Sequence, residues 1–222
     1  MFMLTLKEIK QNEEIKALIK AADFYLERMG YTEHGSRHAE LCAERARKIL
    51  ETLGYEKEKI ELAAIAAYLH DIGNIVNRQD HSQSGALLAF DVLTKMGMKV
   101  ENCVKVMAAI GNHEETEAGL PITSIAAAVI LADKSDVHRE RVKQKEKSKF
   151  DIHDRVNYAV LHSELKANKH TKIITLKLKI DTKFSAIMEY FEIFLGRMVM
   201  MRHAAERLGC KFELIINNTK MF

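Results

Sequence analysis

Apolar residues recur along most of the chain at intervals of three and four, the period of an amphipathic helix. Between Thr5 and Arg28 this spacing predicts one helix, which ends at Gly30. Ser36 and Asp80 have side chains suited to cap the starts of two later helices. Further helices are predicted over residues 36–54, 58–71, 81–97, 100–111 and 124–132.

The helix predicted over residues 58–71 is almost wholly apolar and ends abruptly at His70 and Asp71. A carboxylate at the tip of a buried helix is costly to desolvate unless a cation compensates it, and the neighbouring imidazole indicates a metal ion. Gly73 allows the helix to end there, so that both side chains converge beyond it. A second alanine-rich helix also ends in acid, at Asp133.

Beyond Lys149 the pattern changes from a helical period to alternation. Residues 172–180 and 212–216 are predicted strands, and the helix from Thr182 to Leu208 lies between them. Two strands cannot form a stable sheet alone, so this unit is expected to pack on the helical body or on a second subunit as a homodimer. The prediction is a helical domain over residues 1–150 and an α+β appendage over residues 151–222.

Composition places the chain with soluble globular proteins, since 47% of residues are hydrophobic and 29% are charged. No apolar run is long enough to span a membrane and no secretory signal is recognised, so a cytoplasmic protein without membrane association is expected. The three cysteines have no paired spacing and are expected to be free thiols. A net charge of +3 does not indicate nucleic-acid binding. The basic run over residues 139–149 is either a solvated face or a rim that attracts phosphate.

Six potential metal ligands fall at predicted helix ends, in the order His38, His70, Asp71, His81, His113 and Asp133. This ordered set resembles the HD-domain superfamily of metal-dependent phosphohydrolases over about Thr32 to Val142. The segment His70-Asp71-Ile72-Gly73 matches the signature that names the superfamily. The resemblance implies a mainly α fold, an HD-domain helical bundle, here with a small C-terminal strand–helix–strand appendage.

The resemblance also implies how the ligands are divided between two divalent transition-metal ions. The first would be held by His38, His70, Asp71 and Asp133, and the second by His81 and His113, with Asp71 as the bridge. Nitrogen and oxygen donors suit iron, manganese, nickel, cobalt or zinc. Glu114 and Asp136 are expected to orient ligand imidazoles. His34 is an alternative first ligand, although Gly35 places it before the helix.

The implied activity is hydrolysis of a phosphomonoester, phosphodiester or phosphoanhydride by a metal-activated hydroxide, with Asp71 as the catalytic bridge. The expected substrate is a nucleotide or a related small phosphorylated molecule. A rival hypothesis is a regulatory module that binds metal and nucleotide with little turnover, with the C-terminal unit as its partner surface.

Two departures from family patterns limit the substrate prediction. Many relatives carry a lysine where this chain has Asn74, so the group that binds substrate phosphate is sought among Arg37, Asn74, Arg78, Lys134 and Arg139. Asn112-His113-Glu114 and Gly119-Leu120-Pro121 match only part of the pattern of relatives that cleave cyclic di-guanylate, which argues against that activity. The closer resemblance is to small stand-alone members with six ligands. Of the other histidines, only His138 is expected near the site.

Overall fold

The computed structural model describes residues 4–117 and 119–221, and within them the protein is mainly helical. The helices are α1 (Leu6–Gln11), α2 (Glu13–Arg28), α3 (Ser36–Leu53), α4 (Lys57–Leu69), α5 (His81–Lys95), α6 (Val100–Ile110), α7 (Ser124–Lys134), α8 (Ile152–Ala159) and α9 (Ile187–Arg207). Short 3₁₀ turns are formed by Ile72–Ile75, Glu115–Glu117, Arg139–Arg141 and Lys147–Lys149. The mainly α fold predicted from the sequence is confirmed.

Helices α4 and α7 form the centre of the bundle. Every residue of α4 from Leu62 to Leu69 is buried, and so is every residue of α7 from Ile125 to Lys134. The two helices contact each other, and both contact α3 and α6. Because a helix that is apolar on all faces is buried on all faces, these two bring their polar C-terminal residues into the interior.

The C-terminal segment forms a four-stranded sheet in the order β1-β2-β3-β4. Its strands are β1 (Val160–Asn168), β2 (Ile173–Ile180), β3 (Lys211–Ile216) and β4 (Thr219–Lys220). Strands β1 and β2 are antiparallel, β2 and β3 are parallel, and β3 and β4 are antiparallel. Helix α9 is the crossover connection that two parallel neighbours require. The two predicted strands are present, while β1, β4 and α8 were not predicted.

The C-terminal segment packs on the helical body, where α9 contacts α7 and β1 contacts α3. Buried apolar residues of both segments belong to a single continuous core. The sheet therefore gains the hydrophobic support that its size requires. The division at residue 150 stays a prediction. Among the described residues, every helix is too short or too polar to cross a bilayer.

Four local predictions were wrong. The N-terminal helix divides at Asn12, whose side chain accepts a hydrogen bond from the amide of Ile15 and starts α2. Helix α3 begins after Gly35 without a side-chain cap, so Ser36 does not cap it. Asp80 precedes α5 in a left-handed conformation (φ 57°) and also makes no capping bond. Gly73 is needed for close packing rather than for ending α4, because a Cβ there would lie 2.4 Å from the amide nitrogen of Gly85.

Candidate metal centre

Six side chains from the ends of five helices meet in the interior of the bundle. His38 is in the first turn of α3, His70 directly follows α4, and His81 is the first residue of α5. Asp71, His113 and Asp133 complete the group, from the start of the first 3₁₀ turn, the segment after α6, and the last turn of α7. All six are at most 8% exposed. The structure thus brings together all six metal ligands predicted from the sequence.

Each of the four histidines is held in one orientation through its Nδ1 atom. Nδ1 of His70 donates to the carbonyl of Ala67 at 2.7 Å, and Nδ1 of His113 donates to the carbonyl of Ile110 at 2.6 Å. Nδ1 of His81 donates to the carbonyl of Arg78 at 3.0 Å. Nδ1 of His38 donates to the Asp136 carboxylate at 2.7 Å, as the sequence predicted for Asp136. The Nε2 atoms are therefore left for ligand binding, the arrangement typical of metal-binding histidines.

The Nε2 atoms face one another in pairs. Those of His38 and His70 lie 3.2 Å apart, and those of His81 and His113 lie 3.1 Å apart. A neutral imidazole that donates from Nδ1 carries a lone pair on Nε2. Two lone pairs at this distance repel each other unless a cation, either a proton or a metal ion, lies between or beside them.

The carboxylate of Asp71 lies between the two histidine pairs. Its Oδ2 atom is 3.5 Å from Nε2 of His38 and 3.2 Å from Nε2 of His70, whereas Oδ1 is 3.5 Å from Nε2 of His81. Oδ2 is buried and has no hydrogen-bond partner among the residues that the structure describes. Oδ1 of Asp133 lies 3.4 Å from His38 and 3.6 Å from His70. These oxygens are placed to share cations with the imidazoles.

The electrostatics of the site favour positive charge. Burial by itself lowers the pKa of His70, but the negative charges of Asp71 and Asp133 outweigh it and raise the pKa to about 10. Burial opposes ionisation of Asp71, yet the nearby histidines hold its pKa well below the usual range. The pKa of Asp133 is also lowered well below that range, because Lys134, His38 and His70 outweigh the cost of burial. The two carboxylates are thus held in their ionised form, which attracts cations.

Three overlapping groups of residues could each hold a metal ion, because the donor atoms within each group all lie within 4.8 Å of one another. They are His38, Cys42, His70 and Asp133; His70, Asp71 and His113; and His81, His113 and Glu114. Cys42 lies over the face of the His38 ring, with Sγ 3.6 and 3.7 Å from the two ring nitrogens. The nitrogen and oxygen donors fit a divalent transition metal, and the buried unpartnered oxygen of Asp71 supports this fit.

Glu114 and Lys134 form a buried ionic network beside the centre. Nζ of Lys134 lies 3.0 Å from Oδ2 of Asp133, 3.4 Å from Glu114 and 2.5 Å from Glu115. Burial lowers the pKa of Lys134, but these three carboxylates raise it overall. The predicted role of Glu114 was to orient a ligand, and its Oε2 lies 3.7 Å from Nε2 of His81, close enough to be a ligand itself.

The five predicted phosphate-binding residues have different surroundings. Asn74 is buried and its amide donates to the Asp71 carboxylate at 3.0 Å. Arg37 is paired with Glu33 and Asp136, and Lys134 is enclosed by carboxylates. Arg139 donates to the carbonyl of Tyr158 on α8.

Arg78 is the fifth of these candidates, and it borders the centre. Its guanidinium lies 3.3 Å from Asn74, from Nε2 of His81 and from Glu114. Its side chain also reaches an adjoining cavity. The structure therefore places Arg78 between the ligand cluster and an open space.

Arg197 of α9 and His153 of α8 line the same cavity as Arg78, and sequence reasoning missed both. Of the remaining histidines, His138 was the one predicted to lie near the site, and its Nε2 donates to the carbonyl of Leu161 on β1. His34 lies outside the donor sets, with Nδ1 bonded to the carbonyl of Thr32. One signal could have identified Arg197: it is the single charge in the run from Phe194 to Met201.

An interior group of histidines and aspartates at the ends of bundled helices defines a helical metal-binding domain. Comparison with known families assigns it more closely, because the family model described as HD domain matches residues 35–138. Residues 35–138 are therefore similar to the HD-domain family, and the resemblance predicted from the sequence is confirmed over that segment.

Two individual proteins are also similar. An uncharacterized protein of Methanocaldococcus jannaschii is 29% identical over 156 residues, and the match covers 60% of each chain. The chain thus spans less than two thirds of that relative. The crystal structure of a predicted HD superfamily hydrolase from an uncultured Thermotogales bacterium is 25% identical, with a TM-score of 0.44. That match covers 61% of this chain and 75% of the other.

Proposed function

We propose that the protein is a metal-dependent phosphohydrolase with a centre for two divalent ions. The observation that carries this proposal is the position of Asp71, whose Oδ2 faces His38 and His70 while Oδ1 faces His81. A carboxylate directed at two separate histidine pairs is suited to bridge two ions. His38, His70 and Asp133 would complete the ligands of one ion, and His81, His113 and Glu114 those of the other.

When bound, two such ions lower the pKa of a water and neutralise charge on a phosphoryl group, so that hydroxide can attack phosphorus. The surrounding residues hold this arrangement rigid. Asn74 donates to Asp71 and fixes the carboxylate plane, while Asp136 fixes the ring of His38. Lys134 forms an ion pair with Oδ2 of Asp133, so Oδ1 is the oxygen that faces the histidines.

The proposed substrate is a nucleotide or a related small organic phosphate, with a phosphomonoester, phosphodiester or phosphoanhydride as the bond cleaved. Arg78 supports this choice, since its guanidinium lies next to His81 and also reaches the adjoining cavity. Guanidinium groups bind phosphate oxygens in pairs, which a neutral side chain at this position would not do.

A screen of phosphorylated compounds tests the proposal directly. The protein is purified anaerobically, its metal content is measured, and it is assayed with nucleoside phosphates, cyclic nucleotides and dinucleoside polyphosphates. Manganese, iron or nickel is added in separate reactions. We expect release of phosphate or nucleotide from at least one compound, and loss of that activity on chelation.

The same screen separates the enzyme from a regulatory module. Metal binding together with tight nucleotide binding, but with no product from any compound, would exclude the enzyme and favour the module. Arg202→Met is a suitable control variant, because Arg202 is an exposed residue of α9 that does not line the cavity space beside the centre. Its activity should equal that of the unmodified protein.

A further inference from the structure

A cleft lies between the helical body and the C-terminal segment, next to the metal centre. One cavity of about 340 Å³ is lined by Tyr31 and Arg78 of the body and by Asn157 and Arg197 of the C-terminal segment. A second cavity of about 660 Å³ shares Tyr31, Arg78 and Arg197 and extends to His81. The two cavities adjoin at these shared residues, and together their lining extends from His81, a proposed metal ligand, to residues of α8 and α9. We call the two cavities together the Arg78–Arg197 cleft.

Arg197 has unused donors that face this cleft. Its Nε atom donates to Glu115 at 3.1 Å, and its guanidinium lies over the ring of Phe194 with its central carbon 4.4 Å from the centroid. Its two terminal amino groups have no hydrogen-bond partner within residues 4–117 and 119–221. The side chain is 19% exposed, so these groups are accessible from the cleft. A guanidinium that is held at one edge and open at the other can bind two oxygens of one phosphate group.

Glu115 does not fully neutralise the positive charge of Arg197. Lys134 lies 2.5 Å from the same carboxylate and shares it, and Lys134 itself is buried among acids. Arg141 also lines the cleft, but its guanidinium already donates to the carbonyls of Glu33 and Asp136. Two further carboxylates, those of Asp151 and Asp154, line the smaller cavity. Asp151 caps α8, and its carboxylate accepts a hydrogen bond from the backbone amide of Asp154. Arg197 is thus the guanidinium of the cleft whose two terminal amino groups have no partner among the described residues, while Arg78 lines the same cleft and donates to Asn74, His81 and Glu114.

We propose that the Arg78–Arg197 cleft binds a substrate with two phosphate groups, one at the metal centre and a second one at Arg197. This inference rests on the proposed function and names its substrate class. Arg78 lies between the two positions, beside His81, and contacts the phosphate nearer the metals. The C-terminal segment, which lies outside the matched HD domain, then sets specificity through a residue of α9.

Binding experiments with non-hydrolysed probes test this without relying on turnover. Manganese-loaded protein is titrated calorimetrically with adenosine 5′-(α,β-methylene)diphosphate and with adenosine 5′-monophosphate. We expect the unmodified protein to bind the diphosphate more tightly. Arg197→Met should weaken diphosphate binding about tenfold to a hundredfold, the worth of charge-assisted hydrogen bonds, and change monophosphate binding less than about twofold.

Two further variants complete the test. Arg197→Lys keeps the charge but loses the planar fork, and should give an intermediate loss with an unchanged unfolding temperature. Arg202→Met on the same helix should bind both probes normally. Equal weakening of both probes by Arg197→Met would show that Arg197 acts only by supporting Glu115, and would overturn the proposal.

Absence of a diphosphate preference in the unmodified protein would overturn the proposal as well, and so would failure to bind either probe. Failure of the proposed function can be distinguished from failure of this proposal, because a diphosphate preference that depends on Arg197 can be measured even if no compound is hydrolysed. The binding experiment therefore tests the cleft, and the substrate screen tests the chemistry, independently of each other.

Discussion

At the scale of single residues, Asp71 combines two features that are rarely found together. It is buried, yet one of its oxygens has no hydrogen-bond partner among the described residues. Since an unpaired buried carboxylate oxygen is costly, its position is explained by a cation that the site is built to hold. The cost of this arrangement is met by the surrounding histidines and by the amide of Asn74.

Replacing Asp71 with Asn tests this directly. Asp71→Asn keeps the size of the side chain but removes the charge that both ions share. We expect loss of bound metal, measured by elemental analysis, and loss of the proposed phosphohydrolase activity, because the ions would supply the activated water. His113→Ala is the matched comparison and should lose mainly the second ion. Full metal occupancy in Asp71→Asn would contradict the bridging assignment.

A second residue-scale prediction concerns acid stability and Asp136. Burial opposes its ionisation, but Arg141, His38 and Arg37 hold its pKa well below the usual range. Because the folded-state pKa is lower than the unfolded value of about 3.9, ionised Asp136 stabilises the fold above that pH. This stabilisation is lost as the pH falls below about 4, with a slope of at most about 1.4 kcal/mol per pH unit for one carboxyl group.

Urea unfolding at several pH values, with a chelator present, measures this effect. Asp136→Asn should be less stable than the unmodified protein at pH 7 and should lose less stability between pH 5 and pH 3. The control is Asp91→Asn, since Asp91 is an exposed residue of α5 whose carboxylate pairs only with Lys95 among the described residues. Parallel curves for the unmodified protein and Asp136→Asn would refute the prediction.

The six residues that meet in the interior could be predicted from the sequence because chemistry constrains them strongly. A buried His-Asp pair at a helix end has few explanations other than a cation, and its order with four further residues matches a known pattern. The phosphate-binding residues were not predictable in this way. Arg37 and Lys134 are equally basic in sequence, but whether a basic group is paired internally depends on carboxylates distant along the chain, such as Asp136 for Arg37.

At the scale of elements, the 3₁₀ turn after α4 and the start of α5 are fixed by an unusually close backbone approach. A Cβ on Gly73 would overlap the carbonyl of His81 and lie 2.4 Å from the amide nitrogen of Gly85. Both neighbours are backbone and cannot rotate away. This contact sets the separation between Asp71 and His81, which belong to the two elements that it joins.

Gly73→Ala should therefore damage both stability and the metal centre. We expect a loss in the free energy of unfolding of about 1–3 kcal/mol or more, and reduced occupancy of the second ion. Gly196→Ala on α9 is the control, because a Cβ there meets only Glu115 at 3.8 Å. That variant should be unchanged or stabilised by up to about 1 kcal/mol. Normal stability and metal content in Gly73→Ala would refute the close-packing argument.

Strand β1 shows why some elements were missed. Its sequence, from Val160 to Asn168, mixes leucine with glutamate, lysine and alanine, residues that also favour helices. Only its first residue is fully buried, as expected of an edge strand, so it carries little alternation. By contrast, β2 is buried at every second position from Ile174 onward and was predicted with nearly its observed bounds.

At the scale of the whole molecule, the helical body and the C-terminal segment share one hydrophobic core. Polar contacts reinforce the junction, since Arg45 of α3 donates both to the hydroxyl of Ser135 and to the carbonyl of Ser163 on β1. Ser135 lies between Asp133 and Asp136. The sheet thus contacts the chain directly after α7, between a proposed metal ligand, Asp133, and Asp136, which holds the His38 ring.

We expect the described protein to unfold in a single calorimetric transition, since neither segment retains a complete core alone. Leu214→Ala in the buried centre of β3 should reduce the free energy of unfolding by about 2–5 kcal/mol and so lower the midpoint temperature of the whole transition. Glu213→Ala, one residue earlier and partly exposed, is the comparison and should have a much smaller effect. Two separate transitions, with only one shifted by Leu214→Ala, would instead support independent domains divided near residue 150.

The four Nδ1 bonds of the ligand histidines have a thermodynamic consequence. Each imidazole is already confined to one rotamer by a carbonyl or by Asp136, so little side-chain entropy remains to be lost when an ion enters. The same confinement limits how far the nitrogens can adjust to ions of different radius. Discrimination among chemically similar divalent metals should then arise from the spacing of a rigid cage, and loosening any one of the four bonds should broaden the range of metals accepted.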